Sequence, residues 1–267
     1  PIGRVVTLVG ARGGVGSSKL AHNVGWCIAE RLRINTTIVD FDLPFGTVGL
    51  NFNEEPSQGI ADALSSPERL DDVLLDRLLV KSTDHLSLLA SPAVVERNYE
   101  ADHASYEAVL DTVRATTPCV VVDLPHIWAP WVRDTLLASD DIVIVATPDL
   151  ASLRTTKSFV DLLKLNRPND PPPKLVINQA NMPKRPEIPI KDFSETVGIS
   201  PSLVLPFEPQ LYGSAANNGQ MIMEVQPRSV TAEGIRQLAE MVTGRAVQAE
   251  DKSAIPFLSF LTGRKTA

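Results

Sequence analysis

Cysteine is scarce. The 267 residues hold two, Cys27 in a stretch of helical spacing and Cys119 at the head of an apolar run. Two thiols build neither a disulfide framework nor a cysteine zinc site, and their scarcity favours a reducing compartment, with both read as small core residues. Long hydrophobic runs are also missing: no uninterrupted apolar stretch is long enough to cross a bilayer, and no segment has the pattern of a secretory signal. Excess positive charge is absent, the net charge being −7, which argues against a broad nucleic-acid-binding surface. Lys184, Arg185 and Lys191 form a local basic cluster that reads as a solvated loop. An initiating methionine is missing before Pro1, so the expectation is a piece of something longer.

What remains is 43% hydrophobic and 21% charged, ordinary for a well-packed α/β domain of this length or for two smaller ones. Apolar, β-branched runs recur at Val5–Val9, Thr37–Val39, Leu86–Leu89, Cys119–Val122, Ile142–Ala146, Leu175–Ile177 and Leu203–Leu205. Between them lie helical stripes: Leu20, Val24, Ile28 and Leu32 at i+4, then Leu70 to Leu79 and Leu153 to Leu165. The alternation predicts a doubly wound, mostly parallel sheet of about seven strands with helices on both faces. Ligands in such sheets sit outside the carboxyl ends of the strands.

The chemistry-bearing residues fall at those ends. Gly10-Ala11-Arg12-Gly13-Gly14-Val15-Gly16-Ser17-Ser18-Lys19 follows the first strand and opens a helix, the arrangement in which backbone N–H groups and a helix N-terminus converge on phosphate. Gly16 and Ser18 fit the P-loop pattern with Gly10 one residue upstream of its first glycine, but Ser17 stands where its lysine belongs. Asp40 and Asp42 follow the second strand, and Asp123 closes Val120-Val121-Val122-Asp123 in the manner of a Walker B carboxylate. A hard cation such as Mg²⁺ needs a hydroxyl, one or two carboxylates and the phosphates. Ser18, Asp40, Asp42 and Asp123 supply that set, with Asp42 placed to position an attacking water.

Gly10, Gly14 and Gly16 also fit a short-chain dehydrogenase loop, with Asp40 on an NAD ribose. That chemistry needs a tyrosine with lysine four residues on. Tyr99, Tyr106 and Tyr212 are followed there by His103, Leu110 and Ala216, so the reading is set aside.

RGGVGSS, VDFDLPFG, VVVDLP and IVATPDLASLR together resemble the MinD/ParA family of deviant-Walker ATPases. More narrowly, GARGGVGSS, AHNVGW, DLPFGT and PFEPQLYGSAANNGQMI resemble the CpaE/TadZ proteins of tight-adherence (Flp-type) pilus assembly, over Arg4 to about Leu238. The resemblance implies a P-loop NTPase fold over residues 1–245, an ATP–Mg²⁺ sandwich homodimer, pilus or secretion-system partners, and cytoplasmic work at the inner membrane or cell pole. It also implies an N-terminal receiver-like domain absent from this sequence. By it Arg12 corresponds to the deviant lysine that reaches the partner's phosphates. Gly13, Gly14, Val15, Gly16, Ser17 and Ser18 would hold phosphate, and Asp42 would orient water. Asn178, with Pro206, Phe207 and Glu208, would contact adenine.

Two positions depart from the pattern. Ser17 removes a cation from the β/γ-phosphates, which implies weak ATPase activity with binding retained. Lys19 replaces a threonine at the α-phosphate and leaves two outcomes open, restored charge or a clash with nucleotide. A polar linker and tail follow over 246–267, where Ile255-Pro256-Phe257-Leu258-Ser259-Phe260-Leu261 with Arg264 and Lys265 reads either as an interfacial anchor over 255–265 or as a piece packed on its own domain. A nucleotide-independent scaffold with a degenerate site is the alternative function.

Overall fold

The computed structural model describes residues 2–56, 59–90 and 101–246, and across them strand and helix alternate. β1 (Arg4–Gly10) leads into α1 (Ser17–Glu30), then β2 (Thr36–Asp40), α2 (Val48–Asn51), α3 (Ile60–Ser65) and α4 (Asp72–Leu78). β3 (Val80–Lys81), β4 (Leu86–Leu89), α5 (His103–Thr116), β5 (Cys119–Leu124), α6 (Pro130–Ala138) and β6 (Asp141–Ala146) follow. The described chain closes with α7 (Leu150–Asn166), β7 (Lys174–Ala180), α8 (Ile190–Val197), β8 (Leu203–Pro206), α9 (Pro209–Asn218), α10 (Ile222–Val225) and α11 (Val230–Thr243). None of these helices is long and apolar enough to cross a membrane. The anchor expected over 255–265 lies outside the described residues.

The strands form one sheet of eight, ordered β3-β4-β2-β5-β1-β6-β7-β8. All neighbours are parallel except β3, which runs antiparallel to β4 at the edge. Seven strands were expected, and β3 is the addition: its two residues carry no periodicity to read. Lys184 and Arg185 lie in the connection after β7 as expected, Arg185 tied to Glu187 at 2.7 Å, whereas Lys191 falls inside α8.

Alternation across the sheet divides the core in two. Val5 and Val9 of β1, with Val120, Val122 and Leu124 of β5, pack under α5, α6 and α7. Val6 and Leu8, with Cys119 and Val121, pack under α1 and α11. Because both faces are covered, β5 and β6 are buried along their whole length, which is why they read as continuous apolar runs.

One aromatic cluster fixes the chain just beyond β2. The Phe41 ring meets Tyr106 edge-on at 5.1 Å and Trp131 at 5.7 Å, and those two rings stack at 3.9 Å. Phe41, 1% exposed, thereby clamps the backbone between Asp40 and Asp42 to α5 and α6. Phe41→Ala is expected to cost about 3–5 kcal/mol, read as a lower urea midpoint at unchanged slope. Leu50→Ala, at a side chain 73% exposed, should change stability by no more than about 0.5 kcal/mol.

Candidate functional site

The loop between β1 and α1 is shaped as a cradle. Gly14 and Gly16 both adopt left-handed backbone, φ 79° and 87°, and a Cβ on Gly16 would sit 2.6 Å from Asn178 Nδ2; only glycine meets both demands. Ala11 N–H donates to the Val145 carbonyl at 2.8 Å, which holds the start of the loop against β6. Asn178 Nδ2 donates to the Val15 carbonyl and Gln179 Nε2 to the Gly14 carbonyl, both at 2.9 Å. Two of the loop's carbonyls are thus engaged by side chains of β7. α1 starts at Ser17 with no side-chain cap and no acidic residue in its first turn, so its positive end is left for an anion.

Sheet register brings the carboxylates to this cradle. Asp40 on β2 and Asp123 on β5 are direct partners across the ladder, and both fall on the α1 side, in phase with Ile38 and Val121. Ser18 Oγ donates to Asp123 Oδ1 at 3.1 Å, and His22 Nε2 lies 3.1 Å from Asp123 Oδ2. Asp40 accepts the backbone N–H of Asp42 at 3.0 Å and of Val48 at 3.3 Å. His22, Asp40 and Asp123 each offer a ligand atom, all within 4.8 Å of one another.

Among the described residues no lysine or arginine pairs with either aspartate. Burial, reinforced by the negative charge of Asp123 and partly offset by His22 and the two backbone N–H groups, raises Asp40 to about 7. Asp42 is half-buried, accepts the Phe45 N–H at 3.2 Å, and is likewise raised by burial. Two buried carboxylates without a counter-cation, beside a hydroxyl and a phosphate cradle, have the hard oxygen donors that suit Mg²⁺.

Arg12 folds back onto its own chain: its guanidinium bonds Asp149 at 3.0 and 3.2 Å, the Thr147 hydroxyl at 3.2 Å and the Gly13 carbonyl at 3.2 Å. Asp149 is the N-cap of α7, accepting the Ser152 N–H at 2.9 Å. Lys19 has no ion pair among the described residues, and Ser17 Oγ lies near Gly10, 3.0 Å from where a Cβ there would be.

Asn178, expected after its strand, lies inside β7; there it braces Val15 while its Oδ1 is buried without a partner. Pro206 ends β8 opposite Ala180, and Phe207 N–H donates to the Ala180 carbonyl at 2.9 Å. Glu208 accepts the Thr231 hydroxyl. Phe207 and Glu208, with Asn181, Pro183, Leu211 and Gln226, line a cleft of about 590 Å³ on the cradle's β7 side. Asp40 is the last residue of β2 and β5 continues one residue past Asp123, a one-residue difference from the expected ends at both sites.

His22, Asn51, Gln179 and Asp149 were not read from the sequence. Ser18 and His22 stand four apart and share a helix face, a signal that was available. The others meet the site only through the fold.

A glycine cradle, buried paired carboxylates and a mostly parallel sheet define a P-loop NTPase fold of MinD/ParA type. The chain belongs to the cellulose biosynthesis protein BcsQ family, whose pattern it matches over residues 4–182. The septum site-determining protein MinD of Synechocystis is 22% identical over 98% of this chain and 95% of its own length. MinD of Helicobacter pylori is 24% identical, covering 97% and 98%. Among solved structures, a ParA family ATPase from Chlorobium tepidum superposes with a TM-score of 0.78 at 24% identity over 91% of this chain and 98% of that one. MinD of Pyrococcus horikoshii complexed with Mg-ADP gives 0.74 at 18%, over 90% and 96%.

The raised Asp40 makes a pH prediction. Unfolded, its carboxyl ionises near 3.8; folded, it keeps its proton to about 7. The folded state therefore binds more protons in that window, and stability falls as pH rises through it. Without divalent cation or nucleotide, thermal melts should show a lower Tm at pH 7.5 than at pH 5. Asp40→Asn should flatten that slope; an unchanged slope contradicts the assignment.

Proposed function

We propose that this protein is a nucleotide-gated switch: it binds ATP with Mg²⁺, dimerises in that state, and hydrolyses slowly. The observation that carries the reading is the convergence of Ser18, Asp40 and Asp123 beside the glycine cradle. Gly13, Gly14, Val15, Gly16, Ser17 and Ser18 would hold the phosphates. Ser18 with Asp40, Asp42 and Asp123 would hold Mg²⁺, whose chemistry when bound is to neutralise charge on the β- and γ-phosphates. Asp42 orients the attacking water, and Asn178, Pro206, Phe207 and Glu208 flank the base. Binding of nucleotides by relatives supports this: one solved neighbour is MinD with Mg-ADP, another a putative plasmid partition protein bound to AMPPNP.

Arg12 is the residue proposed to act across the dimer. Its pairing with Asp149 is partly exposed, 39% and 23% for the two side chains, so exchanging that carboxylate for a phosphate forfeits only about 0–1 kcal/mol. Phe45, Ile127, Trp128 and Leu150 are exposed on the segments after β2, β5 and β6, at the carboxyl end of the strands where the cradle also lies. Apolar side chains gathered there support a second copy as their cover.

The process served is proposed to be assembly of a tight-adherence pilus, in the cytoplasm at the inner membrane or cell pole. Its support is the segment PFEPQLYGSAANNGQMI, which lies beyond the residues matching the BcsQ family. That segment joins the AHNVGW helix directly, the Ile222 N–H donating to Asn23 Oδ1 at 2.8 Å. The family match itself favours a second reading, service to cellulose biosynthesis, which differs only in the partner recruited.

Light scattering with and without an Mg²⁺–ATP analogue tests the switch. The wild type should shift from monomer to dimer on addition, and Arg12→Ala should shift far less at unchanged thermal stability. Equal dimer fractions in both proteins contradict a role for Arg12 across the interface, and a dimer indifferent to nucleotide supports a scaffold instead. Ser17→Lys should raise hydrolysis by about tenfold or more if the missing cation limits the rate. Unchanged turnover with ATP still bound moves the slow step elsewhere, Lys19 being the next position to vary.

A further inference from the structure

His22 is fully buried, 0% exposed, beneath the phosphate loop, and nothing in the proposed chemistry yet uses it. Its hydrogen-bond partners assign its tautomer. Asn51 Nδ2, a donor, lies 2.7 Å from Nδ1, so Nδ1 accepts and the ring proton sits on Nε2. That Nε2–H points at Asp123 Oδ2 at 3.1 Å. The other oxygen of Asp123 takes the Ser18 hydroxyl at 3.1 Å, so both carboxylate oxygens are held by donors. Phe52 packs against the imidazole with ring centroids 6.1 Å apart.

The same imidazole joins two parts of the site. Asn51 ends α2, the short helix that follows the connection carrying Asp42, and Asn51 Nδ2 also reaches Thr47 Oγ1 at 3.5 Å. Asp40 accepts the Val48 N–H from that same helix at 3.3 Å. A continuous run of hydrogen bonds therefore passes from Ser18 through Asp123 and His22 to Asn51, with Asp40 holding the helix from the strand side.

We infer that His22 is a positioning residue: it orients Asp123 toward a cation held at Ser18 and ties the Asp42-bearing connection to that geometry. The inference rests on the nucleotide–Mg²⁺ reading above. Partners that orient a ligating group commonly govern metal affinity by about 10–100-fold without touching the ion. Asn51 is linked to Asp123 through His22.

The test is the Mg²⁺ dependence of binding a fluorescent, non-hydrolysable ATP analogue. His22→Leu should raise the Mg²⁺ concentration for half-maximal binding about tenfold or more, while binding in EDTA stays at the wild-type level. His22→Gln, which keeps an N–H donor, should recover part of that loss. Asn51→Leu should shift the Mg²⁺ dependence in the same direction by less, and it stands in for His22→Leu should the latter not fold. Unchanged Mg²⁺ dependence in variants that bind the analogue overturns the role of His22 alone. Failure of the wild type to bind the analogue with Mg²⁺ overturns the nucleotide reading and this inference with it. With Mn²⁺ in place of Mg²⁺, electron spin-echo spectra should carry no imidazole nitrogen coupling; a coupling lost in His22→Gln would make His22 a ligand and overturn the positioning role.

Discussion

Two carboxylates side by side in a dry interior repel each other, and the functional end of this molecule is organised around that repulsion. Asp40 and Asp123 are neighbours because β2 and β5 pair in parallel at that register, and sheet parity turns both toward α1. A one-residue slip would send one of them into the opposite core. Their charge is met by backbone N–H groups from the chain after β2, by the Ser18 hydroxyl and by His22, and by no lysine or arginine among the described residues. Buried charge without a full partner is costly, and the standing remedies are a proton, which Asp40 keeps to about 7, or a cation.

The phosphate loop completes that logic from the other side. Its Val15 and Gly14 carbonyls are occupied by Asn178 and Gln179, its first helical turn carries no acid, and Arg12 stands beside it in a partly exposed ion pair. A ligand that brings both anionic phosphates and a divalent cation satisfies the cradle and the carboxylates together. On the proposed nucleotide reading, Ser17 in place of a lysine would leave binding to backbone amides and rate to whatever cation a dimer or Lys19 would supply.

The central sheet was legible because its strands are buried on both faces and read as unbroken apolar runs, each followed by a helical stripe. Gly10 to Ser18 was legible because left-handed backbone at Gly14 and Gly16 demands glycine, and Asp123 because it ends a run of valines. β3 was not, since two residues carry no period. The bracing of the loop by Asn178 and Gln179 was hidden because β7 is irregular where it runs past Ile177 toward Ala180, and that irregularity leaves no trace in composition. Asp149 reads as an ordinary helix cap, which it is; its second task, holding Arg12, exists only because the chain after β6 comes to rest beside the loop after β1.

The central claim is that cradle and carboxylates form one site for a nucleotide and its cation. Isothermal titration calorimetry of a non-hydrolysable ATP analogue, run with Mg²⁺ and again with EDTA, tests it most directly. The account predicts one site per chain, bound substantially tighter with Mg²⁺ than without. No heat of binding at millimolar analogue, or identical affinity in both titrations, would contradict it.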